Sequence, residues 1–257
     1  MENSKIIQVD NVHQFLRSLN DLPRDAVIMV DVDDTLIRPS SKFFNKIPYK
    51  TLIDEIKRDK DTYPHYEMLL SNWRLQRKIM LVDEAWPSAL AELKRRYRVY
   101  GLTKIDTGKY VAIPSMEEWR YQELKGFGLT FRHDTILEKY HYRTDLHFTN
   151  KPLFYQGIFM TGSASKSQTI ALYKQILTTS YVVVIDDRIE HLRDIEEYCR
   201  QARLSFLGVH FTAVQTAVDG TAQDDAGSKI ADFQKKHFLE QGEWLEDDEA
   251  ATYMYKK

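Results

Sequence analysis

Short apolar runs alternate with segments of helical periodicity along this chain, and the alternation limits the possible fold more than any other feature. The runs rich in β-branched and aromatic residues lie at 27–31, 99–102, 153–160, 181–187 and 205–210. Apolar residues recur at helical spacing in the segments 12–19, 84–96, 115–125, 166–177 and 189–195. Strands that alternate with helices are typical of a parallel sheet covered on both faces. We therefore predict an α/β fold with a central parallel sheet flanked by helices.

Candidate capping residues precede three of the predicted helices. They are Asp10 or Asn11, the pair Ser115 and Glu118, and the pair Ser165 and Gln168. Each pair has the spacing of a capping box, in which a serine hydroxyl and a Glu or Gln side chain satisfy free backbone amides. The third pair predicts that a helix starts near Lys166.

The composition is that of an ordinary globular protein. The chain has 257 residues and a formal net charge of -2, so neither a nucleic acid nor an anionic membrane is expected as a partner. Its single cysteine, Cys199, fits a reducing compartment. No window approaches the ~20 apolar residues of a membrane-spanning helix, and no apolar stretch of signal-peptide length opens the chain. We expect a cytoplasmic protein, with export by a non-classical or effector route left open.

Polar side chains of complementary kinds follow the predicted strands. They are Asp31 and Asp33 after the first strand, Thr103 after the second, Lys166 beyond the third, and Asp186 and Asp187 at the end of the fourth. Ligands of such sheets bind outside the carboxyl ends of the strands, so we expect one shared crevice. Clustered carboxylates repel one another unless a cation compensates them, and Mg²⁺ prefers oxygen ligands. The pattern predicts a site for Mg²⁺ and a phosphate group.

These residues stand in four short motifs, which read MVDVDDT, YGLT, SASKSQ and VVIDD in chain order. The set resembles the haloacid dehalogenase superfamily of hydrolases, whose pattern is DxDxT after an apolar strand, a strand-end Thr or Ser, a Lys near a helix start, and a strand that ends in an acidic pair. The resemblance covers roughly residues 26–211. The first and last motifs are specific, whereas the Thr and Lys gain weight only from their order.

The resemblance implies a phosphomonoester hydrolase that works through an aspartyl-phosphate. Asp31 would be the nucleophile, and Asp33 would act as general acid and then base, with its backbone carbonyl on Mg²⁺. Lys166 would offset negative charge at the nucleophile and the phosphoryl group. Asp186 would ligate Mg²⁺ together with Asp31, and Asp187 would hold a metal-bound water or Lys166.

Four further residues are expected to hold substrate or to shape the site. Thr103 would bind the phosphoryl oxygens, with Lys104 beside it, and Thr35 would hold the turn that aims Asp31 and Asp33. Arg143, in a segment rich in histidine and tyrosine, is a candidate substrate contact. Asp33 favours phosphoryl transfer over dehalogenation, because dehalogenating members of the superfamily have no aspartate at this position.

The resemblance also implies a domain organisation. A Rossmann-like core would comprise 1–38 and 84–211, and a small, mainly helical cap or flap would occupy 39–83, with a helix at 73–80. A second insertion, a hairpin or loop, would occupy 131–152. Residues 212–257 would form a linker, one amphipathic helix and a loosely held acidic tail.

Other readings of the motifs are weaker. A calcium-binding EF-hand loop would need Gly and Glu where this chain has Leu36 and Lys42. The spacing of His133, His141 and His147 matches no standard zinc pattern. His191 is expected to be structural. The acidic ends could also be solvated strand caps without chemistry, with Asp187 as a helix N-cap.

Three functions remain open on the sequence alone. The first is hydrolysis of a small phosphorylated metabolite. The second is a phosphotyrosine or other protein phosphatase, with a role as a bacterial host-directed effector left open. The third is a catalytically decayed binding module that keeps the metal site and holds a partner with its cap.

Overall fold

The computed structural model describes residues 4–19, 22–41, 65–214 and 225–255. Its strands are β1 (Ser4–Val9), β2 (Val27–Val30), β3 (Ile37–Pro39), β4 (Ile79–Leu81), β5 (Arg98–Thr103), β6 (Leu153–Tyr155), β7 (Ile158–Met160), β8 (Tyr181–Asp186) and β9 (Ser205–Phe211). Its helices are α1 (Val12–Ser18), α2 (Tyr66–Gln76), α3 (Trp86–Arg96), α4 (Met116–Gly126), α5 (Thr135–Lys139), α6 (Lys166–Leu177), α7 (Ile189–Gln201), α8 (Asp225–Gln241) and α9 (Asp247–Tyr255).

Seven strands form the central sheet in the order β1-β9-β8-β2-β5-β7-β6. Neighbouring strands are parallel except for the antiparallel pair β6 and β7. β3 and β4 pair in a second, two-stranded sheet. The predicted α/β fold with a mostly parallel central sheet flanked by helices is therefore confirmed.

The centre of the sheet is apolar on both faces. All four residues of β2 are fully buried, as expected for a parallel strand that is covered by helices on each side. Aromatic rings fill one side of the core. The ring centroid of Phe159 lies 5.6 Å from that of Tyr100 and 5.1 Å from that of Tyr173. This packing fixes the strand ends that carry the polar motifs.

Two predicted helix starts are confirmed in atomic detail. Asn11 Oδ1 accepts a hydrogen bond from the Gln14 amide at 2.9 Å, so Asn11 is the cap of α1. Ser165 Oγ accepts from the Gln168 amide at 3.2 Å, and Gln168 Oε1 accepts from the Ser165 amide at 2.9 Å. This complete capping box starts α6 at Lys166.

The predicted capping box at Ser115 is only half formed. Ser115 Oγ accepts from the Glu118 amide at 3.1 Å. The Glu118 carboxylate accepts instead from the Tyr155 hydroxyl and from Gln122 Nε2, which leaves the return bond unmade. A tertiary partner has therefore displaced the local one.

The single strand predicted at 153–160 is wrong. The segment is a hairpin in which Tyr155 of β6 faces Ile158 of β7. Gln156 and Gly157 turn the chain with φ of 48° and 87°. Positive φ at both central residues is typical of the type I′ turn, whose twist suits a two-residue hairpin.

Three other segments also differ from the sequence prediction. The edge strand β1 was not predicted, and α5 lies within the supposed hairpin or loop at 131–152. The helix predicted at 73–80 is instead the end of α2 followed by β4. Residues 42–64 of the proposed cap and 215–224 of the proposed linker lie outside the described residues.

The chain divides into two compact units. One comprises 1–37, 81–108 and 115–214 and contains the seven-stranded sheet. The other comprises 38–80, 109–114 and 215–257.

The second unit has an apolar core of its own. That core consists of Ala231, Phe238 and Trp244, packed against Tyr66, Leu69, Trp73 and Leu239. The tail predicted to be loosely held is the helix α9, and Gln234 Nε2 ties its start by donating to Leu245 O at 2.9 Å and to Asp247 Oδ1 at 3.0 Å.

None of the helices in the described part of the chain combines the length and the apolar character that crossing a membrane requires.

Candidate functional site

Asp31 and Asp186 meet because their strands are parallel neighbours in the sheet. Val30 at the end of β2 is in register with Ile185 of β8, and the Asp31 amide continues the ladder by donating to Ile185 O at 2.9 Å. Each strand thus delivers a carboxylate to the same edge. Both carboxylates are buried, with Asp31 6% and Asp186 0% exposed.

Lys166 joins these two carboxylates. Its Nζ donates to Asp186 Oδ2 at 2.6 Å and to Asp31 Oδ1. A lysine in the first turn of a helix is disfavoured by the helix dipole, and two carboxylates offset that penalty. Burial lowers the pKa of Lys166, but Asp31 and Asp186 raise it by more, so the net shift is upward and the ammonium form is held.

Asp187 adds a third carboxylate to the cluster. Oxygen atoms of Asp31, Asp186 and Asp187 all lie within 4.8 Å of one another. Burial, followed by the charges of Asp31 and Asp34, raises the pKa of Asp187 to about 9. Its carboxylate has no hydrogen-bond partner among the described residues, so three carboxylates face one ammonium.

The cluster has the donor set that a hard divalent cation takes. Burial raises the pKa of Asp31 to about 7. Lys166 acts in the opposite direction, and the charge of Asp186 raises the pKa further. Oxygen ligands gathered this closely are costly without a cation and favourable with one. The residues therefore fit Mg²⁺, and in the described part of the chain the three aspartates are the group with metal-ligand geometry.

Asp186 is also tied to the start of α7. Its Oδ1 accepts from the Arg188 amide at 2.9 Å, and His191 Nδ1 lies 3.1 Å from Oδ1 and 3.2 Å from Oδ2. Burial raises the pKa of Asp186, but Lys166 and His191 outweigh it, so the net shift is downward. His191 therefore contacts a candidate ligand directly. The alternative of Asp187 as the N-cap is wrong, because Arg188 occupies that position.

Thr35 holds the loop that follows β2. Its Oγ1 donates to Asp31 Oδ2 at 3.3 Å, and its carbonyl accepts from Trp86 Nε1 at 2.9 Å. Asp34 turns the loop with a φ of 61°, a left-handed conformation that Asp tolerates better than most residues. Thr35 thus lies in the place expected of a residue that aims Asp31.

The carboxylate of Asp33 does not join the other three. Arg120 Nη2 donates to Asp33 Oδ1 at 3.1 Å and to Oδ2 at 2.9 Å, and Nη1 donates to Glu123 at 2.7 Å. Arg120 is 3% exposed and lies on α4. Burial lowers its pKa, but Asp33 and Glu123 outweigh that and leave it raised.

Sequence reasoning missed Arg120. In the sequence it is one charged residue among several in the segment MEEWRYQELKG, and no motif distinguishes it. Only its burial beside Asp33, 87 positions earlier in the chain, reveals it.

The three remaining predicted residues lie in two different settings. Thr103 ends β5, the strand beside β2, and its buried Oγ1 has no hydrogen-bond partner within the described ranges. Lys104 and Arg143 have exposed side chains, and neither makes a hydrogen bond or ion pair with the aspartate cluster. Thr103 is therefore available to a ligand, whereas Lys104 and Arg143 stand apart from the cluster.

The fold and the site define the class: an α/β protein with a mostly parallel sheet, in which buried carboxylates and a lysine meet at the carboxyl ends of two central strands. The chain belongs to the family described as "Protein of unknown function (DUF2608)", whose model matches residues 8–251. It is 25% identical over 251 residues to the "Uncharacterized protein RP296" of Rickettsia prowazekii (strain Madrid E), across 93% of this chain and 86% of that protein. No solved structure gives a significant match.

Proposed function

We propose that this protein is a Mg²⁺-dependent phosphomonoester hydrolase of the haloacid dehalogenase type that acts through an aspartyl-phosphate. One observation carries the proposal: the oxygens of Asp31, Asp186 and Asp187 lie within 4.8 Å of one another, with Lys166 bonded to two of them. The superfamily's core and cap organisation is part of the same proposal, and so is a small phosphorylated metabolite as substrate.

Asp31, Asp186 and Asp187 would hold the metal by carboxylate oxygens, with the Asp33 backbone carbonyl as a further ligand. Bound there, Mg²⁺ would supply the positive charge that allows an anionic phosphate to approach a carboxylate nucleophile. Lys166 alone cannot balance three ionised carboxylates, and burial with mutual repulsion raises the pKa of Asp31 to about 7 and that of Asp187 to about 9. This imbalance favours a metal-dependent hydrolase over a metal-free one.

The first chemical step would take place at Asp31. One carboxylate oxygen of Asp31 attacks phosphorus, the O–P bond forms, and the bond from phosphorus to the leaving oxygen breaks. The leaving oxygen takes the proton of the Asp33 carboxyl group. Thr35 and Lys166 hold the Asp31 carboxylate in place through its two oxygens.

The second step would restore the enzyme. Asp33, now a carboxylate, accepts a proton from a water molecule whose oxygen attacks phosphorus. The Asp31 O–P bond breaks, and inorganic phosphate and the free carboxylate result. Asp33 suits contact with water because its side chain is 47% exposed, whereas that of Asp31 is only 9% exposed.

Thr103 and Lys166 would bind the transferred group. A buried hydroxyl without a partner is unfavourable, so the Thr103 Oγ1 favours a site where a ligand oxygen completes its bonding. Lys166 already lies against the nucleophile and could also offset charge on a phosphoryl oxygen. These two donors come from different strand-to-helix connections and point to recognition of a phosphate group.

The direct test is hydrolysis of p-nitrophenyl phosphate with and without Mg²⁺. We expect metal-dependent turnover that falls by roughly 10⁴–10⁶-fold in Asp31→Asn, because the nucleophile is lost. Asp194→Asn on the exposed face of α7 is the matched control and should leave turnover unchanged. Absence of turnover on a broad panel of phosphomonoesters would contradict the proposal and favour a binding module.

A further inference from the structure

A large open groove lies in the same unit as the aspartate cluster but shares none of its residues. Its volume is about 1110 Å³, and its walls come mainly from 138–155 with contributions from Thr107, Gly108, Ser115 and Glu117. Thr107 and Gly108 on one wall follow β5, and Leu153 to Tyr155 on another are the edge strand β6. The groove is thus a second candidate site on the sheet.

Two cationic side chains of the groove form no ion pair within the described part of the chain. Arg143 and Lys151 line it with exposed side chains, and neither has a hydrogen-bond or ion-pair partner among the described residues. Two exposed histidines, His141 and His147, line it as well. The walls therefore offer several donors to an anionic ligand.

The acidic residues of the groove are already used by the protein. Glu117 accepts from the Gly108 amide and from Ser115 Oγ, the latter at 2.7 Å. Glu138 accepts from the Gln156 amide at 3.1 Å and lies 3.1 Å from His133 Nδ1. Neither carboxylate forms an ion pair with Arg143 or Lys151, so these two exposed cations remain available to an acidic ligand.

The aromatic floor of the groove is fixed by packing. The rings of Tyr140 and Tyr142 lie 5.6 and 5.7 Å from the ring of Tyr173, and the Tyr142 hydroxyl donates to Pro152 O at 2.9 Å. Leu146, by contrast, is 52% exposed at the rim. Rigid tyrosines, an arginine and an exposed apolar residue are the composition of protein-recognition surfaces.

Asn150 fastens this wall to the loops that follow β5 and β7. Its Oδ1 accepts from the Thr107 amide at 2.7 Å, and its Nδ2 donates to Thr107 O at 2.8 Å. Its carbonyl accepts from the Ser163 amide at 2.8 Å. The groove is therefore held in a set position and is not a loose surface loop.

We infer that this groove binds an acidic segment of a polypeptide. Its volume of about 1110 Å³ lies near the upper end of the ~300–1,000 Å³ range of small-molecule pockets and its form is open, so it has room for an extended ligand. Glutamate or aspartate side chains would pair with Arg143 and Lys151, and an apolar side chain would cover Leu146. The rings of Tyr140 and Tyr142 already pack against Tyr173, tilted and edge-on respectively, which favours a peptide over the stacked bases of a nucleic acid. The inference does not depend on hydrolase activity.

The test is fluorescence anisotropy with a short fluorescein-labelled peptide in which pairs of glutamate alternate with leucine and tyrosine. We expect saturable binding that weakens by roughly fivefold to tenfold in the double variant Arg143→Ala, Lys151→Ala, since each exposed ion pair contributes a fraction of a kcal/mol up to ~1 kcal/mol. The matched control is the double variant Lys5→Ala, Arg193→Ala, which removes the same charge from two exposed residues outside the groove. It should leave binding unchanged.

Two further probes complete the test. The same peptide with glutamine in place of glutamate should bind at least several-fold more weakly, because it lacks the charges. A labelled oligothymidine that bound more tightly than the acidic peptide would overturn the inference in favour of a nucleic acid. Absence of saturable binding of the acidic peptide, or equal binding by the groove variant, would also overturn it.

Discussion

Arg120 Nη2 donates to both carboxylate oxygens of Asp33, at 3.1 and 2.9 Å. The arginine is almost wholly buried, whereas nearly half of the Asp33 side chain is exposed, so the arginine is the fixed partner of the two. A charge-assisted contact of this kind orients a carboxylate as well as holding it. The direction in which Asp33 faces is therefore set by a helix far from it in the sequence.

Arg120→Gln should lower turnover if the contact aims Asp33 at the leaving group. We expect a loss in kcat that is larger for phenyl phosphate than for p-nitrophenyl phosphate, because the poorer leaving group depends more on proton donation. KM should change less than kcat. A purely structural role of Arg120 would lower kcat equally for both substrates.

The conservative variant Arg120→Lys keeps the charge but loses the planar fork. It should recover part of kcat, and the loss in kcat should differ less between phenyl phosphate and p-nitrophenyl phosphate than it does in Arg120→Gln. Identical losses in Arg120→Lys and Arg120→Gln, with no dependence on the leaving group, would show that Arg120 does not position Asp33.

Lys166→Met should destabilise the protein strongly and abolish turnover. The variant leaves Asp31 and Asp186 as buried carboxylates without their ammonium, and breaking such a pair costs about 3–5 kcal/mol. The free energy of unfolding in urea measures the loss. Mg²⁺ should restore more stability to the variant than it adds to the native chain, because a cation replaces the missing charge.

Lys174→Met provides the control, since Lys174 is exposed near the other end of α6. It should change the free energy of unfolding by less than about 0.5 kcal/mol. If both substitutions lowered the free energy of unfolding equally, the two carboxylates would not depend on the Lys166 ammonium for their stability.

Asp187→Asn should stabilise the metal-free protein and remove its response to Mg²⁺. Burial and neighbouring carboxylates raise the pKa of Asp187 from 3.8 to about 9, so its ionised form is disfavoured in the folded state. The penalty is absent below the unfolded value, grows as pH rises and is complete above about 9.

The gain in the free energy of unfolding from Asp187→Asn should therefore be near zero at pH 4 and about 1 kcal/mol or more at pH 8. Thermal melts of both chains with EDTA and with Mg²⁺ check this. A native chain that Mg²⁺ fails to stabilise would argue against a cation at the cluster.

Cys199 should report unfolding. Burial, followed by the charge of Glu196, raises the pKa of its thiol to about 12, so the reactive thiolate is scarce near neutral pH. We expect modification by a chromogenic disulfide reagent to be slow in native buffer and to accelerate in parallel with the loss of circular dichroism in urea. Rapid stoichiometric modification of the native protein would contradict the burial of this residue.

The sequence predicted the elements that depend on local pattern and missed those that depend on tertiary contact. Ser165 and Gln168 satisfy each other within one turn, so that helix start was readable. Only Val9 of the short edge strand β1 is buried, so its sequence lacks the apolar run of a fully buried strand. The strand ends of Asp31 and Asp186 could be predicted to converge from the rule for parallel sheets alone.

The partners of those residues could not be predicted in the same way. Arg120 and Asp33 lie 87 positions apart, and a helix of mixed charge gives no sign of which residue turns inward. His191 was expected to be structural, and its contact with Asp186 was not predicted, because the length of the turn after β8 sets which face of α7 meets the carboxylate. Pattern identifies the strand ends, and packing selects their neighbours.

Gly162→Ala should be markedly more destabilising than Gly108→Ala, although both glycines have positive φ. An added Cβ at Gly162 would lie 2.3 Å from the carbonyl oxygen of Asn150, whereas at Gly108 nothing lies within 4 Å. Both variants suffer the backbone strain of about 1 kcal/mol for a left-handed non-glycine residue. Only Gly162→Ala must also push Asn150 away.

The difference between the two unfolding free energies in urea isolates that steric contribution, which we expect to exceed about 1 kcal/mol. Displacing Asn150 should also loosen the connection that precedes Lys166, because the Asn150 carbonyl accepts from the Ser163 amide. Gly162→Ala should therefore lower turnover in the folded protein, and Gly108→Ala should not. Equal stabilities of the two variants would mean that the backbone at Asn150 yields freely and does not clamp the loop.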